Sequence, residues 1–302
     1  MALVSTSIAV VGPGAIGTTL AALLHAAGRH VVVCGRTPRE SLELRPDDGI
    51  LDGRSITLSN PVLVDPTRIV DPVDVVLLAV KDTQTAAAAV WLDRLCDENT
   101  VVCVLQNGVE QTERVGRYCP ASTVVPCAVW FSATAQSEGW VRLRTPVRLT
   151  LPDDQAARRL AEVLGGPSLA VECHPDFVDD AWRKLLTNAV AGLMVLTGRR
   201  SGVFRREDVA RLGRAYLTEC LAVARAEGAH LDDAVVDETI ALFAGLPEDL
   251  TTSILTDREQ GRPLEWDVRN GVVARKGAEH GLATPISDLV VPLLAAASDG
   301  PG

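Results

Sequence analysis

Aromatic side chains are scarce in this sequence: Phe, Trp and Tyr together make up 4% of it. Apolar residues nonetheless reach 47%, so the interior has to be filled by Ala, Val and Leu. That filling suits closely packed helices and parallel strands, and it points to an α/β or mostly helical chain. No run approaches about 18 uninterrupted apolar residues, so no membrane-spanning helix is expected. There is no Cys-x-x-Cys pair and no His/Cys cluster at zinc spacing. Seven cysteines, an odd number, fit a reduced compartment without a structural metal, and the five histidines are scattered. A basic face is missing as well. The net charge is −10, and no Lys/Arg run concentrates the positive charge that nucleic-acid binding requires. The doublets Arg199-Arg200 and Arg205-Arg206 read as helix-end and solvent charges. Residues 8–27 are apolar enough to imitate a signal peptide, but no basic segment precedes them, and Gly12, Pro13, Gly14 and Gly17 interrupt the run. The expected location is therefore the cytoplasm.

A chain of 302 residues exceeds the roughly 250 at which single cores stop growing, so two domains are expected. The first part opens with a βαβ pattern: a strand at 7–11, a helix at 15–27 closed by Gly28, and a strand at 31–34. A doubly buried strand follows at 73–80, then Lys81 and an Ala-rich helix to about Cys96, then another strand at 100–105 ending in Gln106-Asn107-Gly108. Residues 124–150 alternate in a way that predicts two or three strands extending the sheet in antiparallel fashion. Beyond Pro152 the period is helical, except for a short strand at 169–173. The domain boundary is expected at His174-Pro175, giving domains 1–174 and 175–302, the second an all-α unit of about five helices. No internal repeat is present. Ala/Leu-rich late helices would permit a homodimer.

Gly12-Pro13-Gly14-Ala15-Ile16-Gly17 matches GxGxxG, and it sits directly after an apolar strand and opens a helix. In that context the first glycine makes the tight turn, the second lets the backbone approach a pyrophosphate, and the third lets helix pack on strand. The helix N-terminus adds N–H groups and partial positive charge. Cofactor choice is set at the end of the second strand, Cys34-Gly35-Arg36. An arginine there, in place of an acid, favours a ribose 2′-phosphate and hence NADP, with Arg39 as a second contact; an arginine that merely covers the strand end is the alternative. Lys81 and Gln106-Asn107-Gly108 follow buried strands, where ligands of open parallel sheets lie. An amide at 107 suits a nicotinamide, and the glycine leaves room for the ring.

The segment 176–197 is apolar on nearly all sides and reads as one buried helix. Lys184 and Asn188 stand four apart on it, carrying two polar groups on one face into apolar surroundings. A buried lysine is costly and rarely accidental. A lysine snorkelling outward is the alternative.

These blocks resemble the ketopantoate reductase (2-dehydropantoate 2-reductase) family over nearly the whole chain. The resemblance rests on the loop at 12–17, on Val80-Lys81, on Gln106-Asn107-Gly108, and on Trp182-Arg183-Lys184-Leu185 with Asn188. It continues in Thr252-Ser253, Asp257, Gly261-Arg262, Glu265, His280-Gly281 and Thr284-Pro285. It implies a Rossmann-like NADP-binding domain followed by a helical domain, with NADPH as reductant and a small 2-keto acid as substrate. Lys184 would then be the general acid, with Glu265 as its partner. Asn188 would hold the keto oxygen or its neighbour, and Ser253 the substrate carboxylate. Lys81 and Asn107 would bridge nicotinamide, ribose and substrate, beside Gly12, Pro13, Gly14, Ala15, Ile16, Gly17, Arg36 and Gln106 around the cofactor. Hydride arriving at a ketone leaves negative charge on oxygen, so the chemistry itself calls for a proton donor there. The sequence departs from the family pattern at Gly192, where many members carry a second asparagine one turn after the first. That departure favours, as a second reading, a reductase of another 2-keto acid or imine. A non-catalytic NADPH-sensing module is a third.

Overall fold

A computed structural model describes residues 6–300. The chain divides into two compact units, residues 6–106 with 111–177, and residues 107–110 with 178–300.

The first unit begins β1 (Ile8–Val11), α1 (Ala15–Ala26), β2 (Val31–Cys34), β3 (Leu42–Pro46), β4 (Ile56–Leu58), β5 (Val75–Leu78), α2 (Thr85–Leu95) and β6 (Val101–Val104). It continues α3 (Gln111–Gly116), β7 (Thr123–Pro126), β8 (Ala128–Val129), β9 (Ala133–Ala135), β10 (Val141–Leu143), β11 (Arg148–Pro152), α4 (Gln155–Leu164) and β12 (Ala170–His174). Five strands form a parallel sheet in the order β2-β1-β5-β6-β7. Strands β1, β2, β5 and β6 are buried on both faces, as their unbroken apolar runs require, while the edge strand β7 is partly exposed. Alternation sorts the side chains between two cores. Ile8 and Val10 join Leu20 and Leu24 of α1 and Leu42 and Leu44 of β3, whereas Ala9 and Val11 join Trp91, Leu92 and Leu95 of α2.

The expected antiparallel extension of this sheet is not what forms. β7 joins parallel to β6, and the remaining strands build two further sheets, β4-β3-β10-β9 and β12-β11-β8. Both are mixed, since β10 pairs parallel with β3 and β11 parallel with β12. The reason lies in the segment between β2 and β5. Two short strands there, β3 and β4, offer α1 a second apolar layer, and β10 pairs onto β3 instead of onto the central sheet.

The glycine loop connects β1 to α1. Gly12 adopts φ +99, and a Cβ there would lie 2.6 Å from Val80 Cγ1 and 2.9 Å from Val80 N. A Cβ on Gly17 would overlap the carbonyl oxygen of Gly12. The first and third glycines are therefore demanded by the turn and by the packing of helix on strand.

The second unit is helical: α5 (Phe177–Val190, whose first residue groups with the first unit), α6 (Gly192–Thr197), α7 (Glu207–Ala226), α8 (Ala234–Gly245), α9 (Ser253–Glu259), a wide π-type turn at Asp267–Gly271, α10 (Val272–Glu279) and α11 (Pro285–Asp299). The single helix expected over 176–197 is interrupted at Ala191. Asn270 Nδ2 donates to the carbonyl of Ala189 at 2.9 Å and to Tyr216 Oη at 3.0 Å, and a side chain claiming a helix carbonyl is a recognised cause of such a break. Gly192 makes the close approach feasible: a Cβ there would lie 2.9 Å from Asn270 Nδ2 and 3.0 Å from Leu294 Cδ1. The core around this junction contains Leu186, Val190, Met194, Leu217 and Cys220.

Tyr216 is fully buried, so removing its hydroxyl strands one Asn270 N–H in an apolar interior. Tyr216→Phe is expected to destabilise the protein by about 1–3 kcal/mol, read as a lowered midpoint in urea unfolding. An unchanged midpoint would show that the Asn270–Tyr216 bond does not hold the break together.

Candidate active site

In the first unit the loop at 12–17 has the features that a dinucleotide phosphate needs. The N-cap of α1 is Gly14, with no side chain capping it and no acid in the first turn. The positive end of the helix and its early N–H groups are thus left for an anion. A Cβ on Gly14 would meet nothing within 4 Å, in contrast to Gly12 and Gly17, so open space lies where a pyrophosphate would approach. Thr18 Oγ1 donates to Pro13 O at 3.2 Å, and Gly12 N donates to Cys34 O at 2.9 Å, which ties the loop to the end of β2. Burial pushes the Cys34 thiol up to about 12, so this end of β2 adds no negative charge beside the loop. Arg36 is exposed two residues past β2, and Arg39 is half-buried. Lys81 is half-buried after β5, where the chain enters the short turn Asp82–Gln84. Gln106 is buried, and its amide nitrogen donates to Thr85 Oγ1 at 2.7 Å and to Val80 O at 3.1 Å. It braces two strand ends to each other.

Asn107, adjacent in sequence, groups with the second unit. There it meets residues that the sequence singled out from distant places. Asn188 Nδ2 donates to Asn107 Oδ1 at 3.1 Å, and Asn107 Nδ2 donates to Glu265 Oε2 at 3.0 Å. Asn188 and Glu265 are 7% and 5% exposed. Lys184 lies one turn before Asn188 on α5 and is half-buried. Ser253, at the start of α9, is exposed. The glycine after Asn107 is required by the backbone and its packing: Gly108 has φ +107, and a Cβ there would lie 3.0 Å from Val268 O. Arg275 anchors the same short segment, its Nη2 reaching Glu110 at 2.7 Å while Nη1 bonds Asp267.

Two buried polar residues of this unit were not anticipated, Arg269 and Asn270 of the wide turn, 2% and 0% exposed. Arg269 Nη1 donates to Ser253 Oγ at 3.1 Å, and Nη2 donates to Asn188 Oδ1 at 3.2 Å. Burial pushes the Arg269 guanidinium below its ordinary value, opposed by the charges of Glu265 and Asp257. The four-residue spacing from Glu265 to Arg269 was a signal for one helix face. It was masked because arginine is the common basic residue here. Lysine occurs only at Lys81, Lys184 and Lys276, and Lys276 is engaged by Glu279 at 3.0 Å and Glu227 at 3.5 Å. The other two stand at the positions singled out by sequence.

Residues 8–155 match the family described as ketopantoate reductase PanE/ApbA, and residues 176–298 match the family described as ketopantoate reductase PanE/ApbA C terminal. A protein of Mycobacterium tuberculosis (strain ATCC 25618 / H37Rv) named 2-dehydropantoate 2-reductase is 59% identical over 298 residues, which cover 99% of this chain and 100% of that one. Among solved structures, a PanE/ApbA family ketopantoate reductase from Ralstonia eutropha JMP134 is similar with a TM-score of 0.86 and 26% identity, covering 97% of this chain and 99% of the other. The fold is also that of a D-mandelate dehydrogenase solved with NADH and anilino(oxo)acetate, at a TM-score of 0.84 and 22% identity over 97% of this chain and 99% of that one. With both of its parts matched and a close relative spanning its length, the chain belongs to the ketopantoate reductase family.

Proposed function

We propose that this chain reduces 2-dehydropantoate (ketopantoate) to pantoate with NADPH, a step of pantothenate and coenzyme A biosynthesis, using Lys184 as the general acid. The observation that carries the reading is the set on the second unit. Lys184 stands one helical turn from Asn188, and Asn188 is bonded through Asn107 to Glu265 and through Arg269 to Ser253. The family and the 59% identical relative named 2-dehydropantoate 2-reductase agree with it.

Bound NADPH supplies the hydride for the keto carbon. The chain supplies the rest. Lys184 gives the proton that neutralises the oxygen and regains it from water, a contribution typically worth about 10²–10⁴-fold in rate. Asn188 and Asn107 hold the keto oxygen and its surroundings by N–H donation, and Ser253 takes the carboxylate. The loop at 12–17 would hold the pyrophosphate and Lys81 the ribose, while Gln106 fixes the neighbouring strand ends. Arg36 would meet the 2′-phosphate, which is the basis for reading NADP over NAD. Seven cysteines free of disulfides suit a cytoplasmic enzyme.

Lys184→Ala is expected to lower kcat for 2-dehydropantoate by about 10²–10⁴-fold while leaving NADPH affinity, measured by nicotinamide fluorescence, unchanged. A kcat close to that of the unaltered protein would remove the general acid from the account and revive a sensing role. For Arg36→Ala the expectation is a rise of roughly tenfold or more in the Kd for NADPH with little change for NADH. Equal losses for both cofactors would show that Arg36 does not read the 2′-phosphate.

A further inference from the structure

Arg269 is an unusual residue to find where it is. Its guanidinium is almost wholly buried, yet its hydrogen bonds go to neutral oxygens: the Ser253 hydroxyl, the Asn188 side-chain carbonyl and, at 3.5 Å, the Asn188 backbone carbonyl. Nε has no partner. A desolvated cation whose hydrogen bonds all go to neutral groups is expensive even with the charges of Glu265 and Asp257 acting on it, and a hydrophobic side chain of similar volume would serve packing better. The cost is offset if an anion arrives within reach of the same charge.

Guanidinium and carboxylate are one-way groups: the first only donates, the second only accepts. Arg269 therefore fixes Asn188 with its oxygen toward the arginine and its NH2 toward Asn107. Glu265 at the far end fixes Asn107 with its NH2 toward the carboxylate. Both amides are set in one sense, and each keeps a second N–H. The same logic applies to Ser253. With Arg269 Nη1 donating into Oγ, the hydroxyl proton has to point away from the arginine, and Ser253 is the exposed member of the pair.

We propose that Arg269 is the positioning residue for substrate carboxylate recognition. It turns the Ser253 hydroxyl into an outward donor, locks Asn188 in its donor orientation, and places a buried positive charge behind both. This rests on the keto-acid reductase reading above and deepens it. The substrate class follows from the charge: a 2-keto acid is taken as its carboxylate in preference to its neutral derivatives.

The test compares each acid with its primary amide, for 2-dehydropantoate, phenylglyoxylate and 2-ketoisovalerate, in the unaltered protein and in Arg269→Met, Arg269→Lys and Ser253→Ala. KM and kcat come from NADPH absorbance, cofactor affinity from fluorescence, and folding from circular dichroism. The unaltered protein should favour acid over amide by roughly 10- to 100-fold in kcat/KM, the size of a charge-assisted hydrogen bond to an ionised group. Arg269→Met should lose most of that preference through the KM of the acid, with NADPH affinity unchanged, and Arg269→Lys should restore part of it. Ser253→Ala, on an exposed position, should reproduce the loss even if Arg269→Met does not fold. Acid and amide losing activity alike in Arg269→Met, or Ser253→Ala keeping the full preference, overturns the proposal. If 2-dehydropantoate is not reduced but another of the acids is, with an Arg269-dependent preference, the ketopantoate reading fails and this inference stands.

Discussion

A row of hydrogen bonds with a cation at one end and a carboxylate at the other organises the second unit of this protein: Arg269 to Asn188, Asn188 to Asn107, Asn107 to Glu265. Neither end can reverse its role, so the two amides between them have one orientation available. Buried polar groups in low dielectric are costly unless satisfied, and a satisfied row is correspondingly rigid. Three separate stretches are joined by it, the short segment at 107–110, helix α5 and the wide turn at Asp267–Gly271. The turn is what allows it. Arg269 and Asn270, neighbours in sequence, are both interior, and they divide the work: Arg269 orients the donors, while Asn270 stabilises the break between α5 and α6.

Gly192 fits the same picture. A side chain at that position would run into Asn270 and Leu294, so the second asparagine that the resemblance leads one to expect there has no room in this packing. Substrate choice accordingly lies in particular side chains. A fold held in common with a D-mandelate dehydrogenase does not decide it.

Much of the frame was legible in the sequence. Strands β1, β2, β5 and β6 are unbroken apolar runs, and the glycine loop announces itself by position after a strand and before a helix. The structure adds why: Gly12 and Gly17 are required by the turn and by packing, and Gly14 is the position left open. What could not be read was pairing that depends on other strands. β3 and β4 lie in a stretch with turn residues and weak alternation, and without them the sequence offers β9 and β10 no partner but the main sheet. Of the proposed site, Lys184, Asn188 and Asn107 stand out in the sequence as a lysine and two amides in apolar or strand-end contexts, whereas Glu265 is singled out only by the family resemblance; the structure joins Asn188, Asn107 and Glu265 by hydrogen bonds. Arg269 does not stand out. One arginine among many in a helical pattern looks like a solvated charge, and only tertiary packing turns it inward.

The most direct test of the central claim is a double-mutant cycle between the two charged ends, Arg269→Met and Glu265→Gln, measured on kcat/KM for 2-dehydropantoate. If both ends orient one row of amides, breaking either disorders what the other was holding, and the double variant should be impaired by clearly less than the sum of the single losses. Losses that add to within about 0.5 kcal/mol would mean that the two charges act independently and that no oriented row connects them.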